Sequence, residues 1–225
     1  MSVNDYLLWL SGEKHLLFEV AALFFIGFLV GLGGALIPGP LLAYVIFDST
    51  RKGKVTGHFI IAGHVIWEAL IIFLILHGLG GIMQQYKSII YTVGGTVLIL
   101  MGVLMVRSRG DVKLEGSKID SSLLGGIFYT AFNPTQPPWW ASAGLALLLQ
   151  GYELLGNMGI ATVTAGHWIA DLAYYTSISY VIHKYGKLLN PRQKQIALLL
   201  GAFVALLGAY YIVNGVWGLF TERLI

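Results

Sequence analysis

A chain of 225 residues that is 56% hydrophobic and only 11% charged falls far below the roughly 25% charged fraction usual in soluble domains. It contains no cysteine, which excludes disulfides, thiolate metal sites and thiol redox chemistry. The formal charge of +3 does not point to nucleic acid, because the basic residues sit in short loops rather than on one face.

Met1 to Leu10 has no basic stretch ahead of its apolar residues, so it reads as a short interfacial segment carrying Tyr6 and Trp9 rather than as a signal peptide. A membrane-spanning helix needs about 20 mostly apolar residues. Six runs reach that length, near 16–47, 56–77, 86–106, 121–149, 158–183 and 195–220, and the longest connection, 107–120, is a charged loop. The chain therefore reads as an all-α integral membrane protein of one domain, with no soluble domain outside the spans.

The first run is interrupted by Gly33-Gly34-Ala35-Leu36-Ile37-Pro38-Gly39-Pro40. The second carries Ala62-Gly63-His64-Val65-Ile66-Trp67-Glu68, and the third carries Ile99-Leu100-Met101-Gly102-Val103. The fourth is interrupted by Phe132-Asn133-Pro134-Thr135-Gln136-Pro137-Pro138-Trp139-Trp140. The fifth repeats the second with Ala165-Gly166-His167-Trp168-Ile169-Ala170-Asp171, and the sixth repeats the third with Ile212-Val213-Asn214-Gly215-Val216. Proline lacks an amide donor, clashes with the preceding turn and pushes the residue before it away from helical angles. Both interrupted spans are expected to be discontinuous, with new half-helices starting near Pro40 and Pro137.

Basic residues set the expected orientation. Arg51, Lys52 and Lys54 follow the first run, Arg107, Arg109, Lys113 and Lys118 the third, and Lys184, Lys187, Arg192 and Lys194 the fifth. Only Lys14, Lys87 and Arg223 lie on the other side, so the three basic loops face the cytoplasm and both termini face out. Three spans per half is an odd number, which makes a duplicated half run in the opposite sense. The layout is therefore two inverted repeats, about 16–106 and 121–220, with paired breaks of the kind that mark binding sites in secondary transporters.

An ionisable group in mid-span costs roughly 2.5–3.5 kcal/mol on insertion scales, so His64, Glu68, His167 and Asp171 mark a working site. Four residues of separation stack each histidine over its carboxylate on one helix face. Such a carboxylate binds either a proton or a cationic part of a substrate, and the histidine can hold its charge or relay a proton. Two histidines and two carboxylates are also a ligand set for a divalent cation such as zinc, cobalt or nickel, a role that ranks behind proton relay. Amides at the half-helix starts beyond Pro38, Gly39, Pro40 and Pro137 suit an anionic group, such as the carboxylate of an amino acid. Trp67, Trp139, Trp140 and Trp168 flank the site, Tyr174 and Tyr175 follow Asp171 by one turn, and Asp48 is expected to be solvated beside Arg51 and Lys52. Neither a His-Glu-x-x-His nor a Gly-x-Ser-x-Gly motif is present, so no enzymatic chemistry is read here.

The segment Gly31-Leu32-Gly33-Gly34-Ala35-Leu36-Ile37-Pro38-Gly39-Pro40 resembles the first-span signature of the LysE/RhtB exporters. The basic loop that follows, Gly57, Gly63, the run to Gly78-Leu79, and Asn133-Pro134 continue the likeness over nearly the whole chain. The resemblance implies a cytoplasmic-membrane exporter of amino acids or related small solutes, driven by an ion gradient, with no cofactor. Its partners would be a small-molecule substrate, a coupling ion (a proton), the lipid bilayer and, in a homo-oligomer, further copies of the chain. A divalent-cation exporter on the same scaffold is the alternative. A thiol-carrier role of the CcdA type needs cysteines beside the prolines and is excluded. The expected substrate and ion site is His64, Glu68, His167 and Asp171, with Pro38, Gly39, Pro40, Asn133, Pro134 and Gln136 from the two breaks.

Overall fold

In the computed structural model the described residues are 3–107, 119–189 and 193–222, and every regular element among them is helical. In chain order these are α1 (Val3–Ala35), α2 (Pro40–Lys52), α3 (Thr56–Leu74), a π-helical turn (Ile75–Leu79), α4 (Gly80–Gln85) and α5 (Lys87–Arg107). They continue as α6 (Ser122–Ala131), α7 (Gln136–Trp139), a second π-helical turn (Trp140–Gly144), α8 (Leu145–Leu189) and α9 (Gln193–Glu222). Residues Arg109, Lys113, Lys118, Arg192 and Arg223 of the charge count lie outside the described residues.

Among the described residues, four stretches are helical, long and apolar enough to cross a membrane: His15–Ala35, Thr56–Gln85, Lys87–Leu104 and Leu198–Leu219. The runs at 121–149 and 158–183 are not among them. The first is divided between the ten-residue α6, α7, a π-helical turn and the start of α8. The second lies within α8, where Thr162, Thr164, His167 and Asp171 dilute its apolar character. Of the segment read as interfacial, 1–10, residues 1 and 2 lie outside the described residues and 3–10 are the beginning of α1.

Local chemistry accounts for the helix ends. Gly39 is extended at the head of α2, and Pro40 occupies the first turn, where its missing amide would have gone unpaired. Arg51 and Lys52 close α2 against the negative end of its dipole, before Gly53 turns the chain at φ 98°. The Ser121 hydroxyl caps α6 by accepting from the Leu124 amide at 3.3 Å. The chain leaves α6 just before Asn133-Pro134 and re-enters helix at Gln136.

α8 is not one straight rod. At Leu155–Gly156 the backbone leaves helical angles, with Gly156 at φ 58° and ψ −139°, and Gly151 and Gly159 then lie backbone against backbone. That conformation is essentially open to glycine alone. The two arms of α8 fold back on each other as a hairpin.

Glycines let the helices pack at backbone distance. Gly27 of α1 abuts the Val163 carbonyl and Gly166 of α8 the Phe24 carbonyl. Gly63 of α3 abuts the Leu123 carbonyl, and Gly126 of α6 the Ile60 carbonyl. α5 lies along α9, with Gly95 against Gly208, Gly102 against Gly201 and Ala205, and Gly215 against Ser88 and Thr92. A side chain at any of these positions would overlap the opposing backbone or force the pair apart.

The distribution of polarity is inside out. Leu17, Phe18, Leu29, Leu104, Leu199, Leu206 and Trp217 are exposed on the outside, whereas Asp48, Ser49, His64, Glu68, Thr130, Asn133, His167, Asp171 and Ser179 are buried. A water-soluble protein arranges these classes the other way, and ionisable groups in a membrane bundle face its interior. The chain is thus a multi-pass, membrane-embedded helical protein.

Candidate functional site

α3 and α8 cross so that the two repeated segments face each other. His64 Nε2 stands 3.2 Å from Glu68 Oε2 and 3.4 Å from Asp171 Oδ2. His167 Nε2 stands 3.0 Å from the same Glu68 oxygen and 3.3 Å from the same Asp171 oxygen. One candidate ligand atom from each of the four lies within 4.8 Å of every other, and all four residues are buried. Each imidazole therefore serves the carboxylate of its own helix and that of the opposite one.

Hydrogen bonding fixes the tautomer of one ring, that of His64. The Thr130 hydroxyl donates to the Gly126 carbonyl at 2.7 Å, so toward His64 Nδ1, 3.0 Å away, it can only accept. His64 therefore carries hydrogen on Nδ1 and presents the Nε2 lone pair to two carboxylates. Neither of those oxygens makes a hydrogen bond with His64 Nε2, and Asp171 Oδ2 also has no hydrogen-bond partner. His167 pairs through Nε2 with Glu68 at 3.0 Å, while its buried Nδ1 has no hydrogen-bond partner. A lone pair facing carboxylate oxygens at this range is repulsive until a cation, whether proton or metal ion, comes between them.

The helix break at 132–135 supplies the surroundings. Gln136 Nε2 lies 3.5 Å from Glu68 Oε1, and Trp140 Nε1 holds Gln136 in place by donating to its Oε1 at 2.9 Å. Trp168 Nε1 donates to Glu68 Oε2 at 3.1 Å. Trp139 stacks on the His167 ring, with centroids 4.8 Å apart and planes 21° from parallel. Asn133 turns its Oδ1 back onto the Thr135 amide and hydroxyl, fixing the non-helical backbone. These groups enclose a cavity of about 30 Å³ lined by the four ionisable residues, Asn133, Thr135, Gln136, Trp139 and Tyr175 among others.

Of the expected site residues, His64, Glu68, His167, Asp171, Asn133 and Gln136 line this one cavity. Pro38, Gly39, Pro40 and Pro134 do not: Gly39 packs on the Asn133 amide, and the Pro134 carbonyl faces Gly94. Three of the four flanking tryptophans make the contacts above, and Trp67 is half-buried away from the lining. Asp48, expected in solvent, is fully buried. It pairs with Lys52 at 2.9 Å and accepts from Ser122 Oγ at 2.7 Å, while Lys52 also reaches the Asp120 carbonyl at 2.7 Å. The cation four residues on and the serine from α6 replace the water it loses. Thr130 was not singled out from the sequence. Its position one helical turn before Asn133-Pro134 is the signal that places it on the same face as the break.

The family of LysE type translocators matches residues 32–215, which takes in both histidine–carboxylate segments and both helix breaks. The chain belongs to the LysE type translocator family. This makes it a membrane translocator, and the tetrad lies at the heart of the matched region. No curated protein and no solved structure matched the chain.

Proposed function

We propose that this translocator is an ion-coupled exporter of the cytoplasmic membrane, working by alternating access between two inverted three-span repeats that close on one shared cation site. One observation carries the reading: each histidine Nε2 lies 3.0–3.4 Å from two carboxylates, one contributed by each half. A rocking motion of one half against the other would make and break that cluster. The packing supports the repeats. α1 meets α8 through Gly27 and Gly166 much as α6 meets α3 through Gly126 and Gly63. Gly102 meets Gly201 and Ala205, and its counterpart Gly215 meets Ser88 and Thr92.

The same four groups account for coupling. Protons or a cationic cargo can balance the two carboxylates, but the two compete for one place. The excess of Lys and Arg in three loops supports an orientation with both termini outside, which would put the Asp48–Lys52–Ser122 cluster at the cytoplasmic end. Size favours a small cation. A cavity of about 30 Å³ takes about two water molecules. An amino acid, the other cargo the family resemblance implies, would enter only a wider conformation. Asn133 and Gln136 in the lining are what favour that second reading.

The test is proton movement in proteoliposomes under an imposed pH gradient, with a panel of amino acids and small cations offered in turn. Wild type should release protons when its cargo is added, and Glu68→Gln should not. Cargo flux that persists unchanged in Glu68→Gln, or flux with no proton movement, would remove the tetrad or the coupling from the reading.

A further inference from the structure

We propose that the cargo is a divalent first-row transition-metal cation, held by His64, Glu68, His167 and Asp171 as a set of two imidazoles and two carboxylates. The inference rests on the exporter reading and names its substrate class.

The spacing is that of a metal site. Four ligands at about 2.1 Å from a zinc-like ion, arranged tetrahedrally, stand about 3.4 Å from one another. The four histidine–carboxylate separations are 3.0, 3.2, 3.3 and 3.4 Å, and every pair of candidate ligand atoms lies within 4.8 Å. These four separations thus match the edges of a four-coordinate site.

Donor chemistry narrows the class. Two imidazole nitrogens disfavour magnesium and calcium, which take oxygen ligands, and the absence of cysteine disfavours a soft ion such as copper(I). Two carboxylates give the site a charge of about −2 with neutral imidazoles, which a divalent ion cancels. Cancellation matters at membrane depth, where uncompensated charge is costly.

Two further observations point to a ligand. His64 Nε2 and Asp171 Oδ2 are buried without a hydrogen-bond partner, although both belong to the tetrad. A metal ion would satisfy both at once. The ligands are also braced as metal ligands are, by hydrogen bonds from behind. His64 donates through Nδ1 to Thr130, which frees Nε2 for the ion, and Trp168 and Gln136 hold Glu68.

Cobalt(II) is the probe, because its visible spectrum reports coordination. Full-length protein without a polyhistidine tag, purified in detergent, should bind one Co²⁺ per chain with the intense bands of a four-coordinate nitrogen–oxygen site. Glu68→Gln and Asp171→Asn should weaken binding by 100-fold or more. Thr130→Val should weaken it by about 10- to 100-fold, with Thr130→Ser close to wild type. Wild-type proteoliposomes should then accumulate Co²⁺ or Zn²⁺ against a pH gradient. No bound Co²⁺, or binding indifferent to the carboxylate substitutions in variants that keep their helical circular dichroism, overturns the metal site. Binding without transport makes the ion a resident one and overturns the cargo. If metals fail but another solute drives proton release, this inference falls while the exporter reading stands; if no solute does, both fall.

Discussion

His64 and His167 hold matching places in the repeated segment, and each touches the same two carboxylate oxygens, yet the protein supports them differently. Behind His64 stands Thr130, whose hydroxyl accepts from Nδ1. Behind His167 stands Gly31, so close that a methyl group there would strike the ring nitrogen and the His167 backbone. The ring is braced instead by the stacked Trp139. The difference follows from packing: α1 approaches α8 so tightly at this point that no side chain, and hence no hydroxyl acceptor, fits. The ligand set is thus close to symmetric while its supports are not. His64 is set to offer a lone pair at Nε2, whereas the buried His167 Nδ1 has no hydrogen-bond partner to fix which ring nitrogen carries the hydrogen.

Four substitutions break or sharpen this contrast. Glu68→Gln removes the oxygen both rings share and should abolish it. Export, followed as cargo flux in proteoliposomes, should fall by roughly 100-fold or more, consistent with the ~3–5 kcal/mol cost of stripping one member from a buried ion pair. Thr130→Val strikes the His64 side alone. It keeps the shape, leaves Nδ1 unpartnered, and should lower cargo affinity by about 10- to 100-fold. Serine at that place should restore it, and ¹⁵N NMR of the ring nitrogens should show loss of a single tautomer at His64 but not at His167.

Gly31→Ala strikes the His167 side by crowding. Overpacking of this kind costs about 1–3 kcal/mol, read as a lower thermal midpoint in detergent. Trp139→Leu should have the smallest effect on the ligand set itself, apart from the cavity it opens in the core. It removes the stacked ring, worth about 0.5–1.5 kcal/mol beyond its buried area, and should perturb His167 more than His64 in the same NMR spectra. Equal responses of the two rings to Thr130→Val and Trp139→Leu would erase the contrast.

The four tetrad residues were legible in the sequence because charge inside an apolar run is rare and here occurs twice with one spacing. The two proline motifs were expected to interrupt their spans for a comparably local reason, the loss of an amide donor; α2 begins at Pro40 and α7 at Gln136. Helical periodicity says which residues share a face, but not which face meets which. The convergence of α3 and α8, and with it the single cavity, could not be read from either segment alone. Thr130 was missed because a threonine in an apolar helix looks ordinary until the ring opposite it is known. Asp48 was misplaced because its neighbours Arg51 and Lys52 suggest solvent, whereas Ser122, distant in sequence, covers it. The hairpin at Gly156 was hidden because a lone glycine in an apolar stretch has no signature of its own.

That hairpin bears on how the chain sits in its membrane. Left straight, the 45 residues of α8 would extend about 68 Å, more than twice the ~30 Å hydrocarbon thickness. Turned at Gly156, they become two arms of which the second, bearing His167 and Asp171, is too polar to qualify as a span by its own hydropathy. A leg that could not span on its own is thereby held by protein on more than one side: Gly151 of the first leg lies against Gly159, and Gly27 and Gly31 of α1 lie against Val163 and His167.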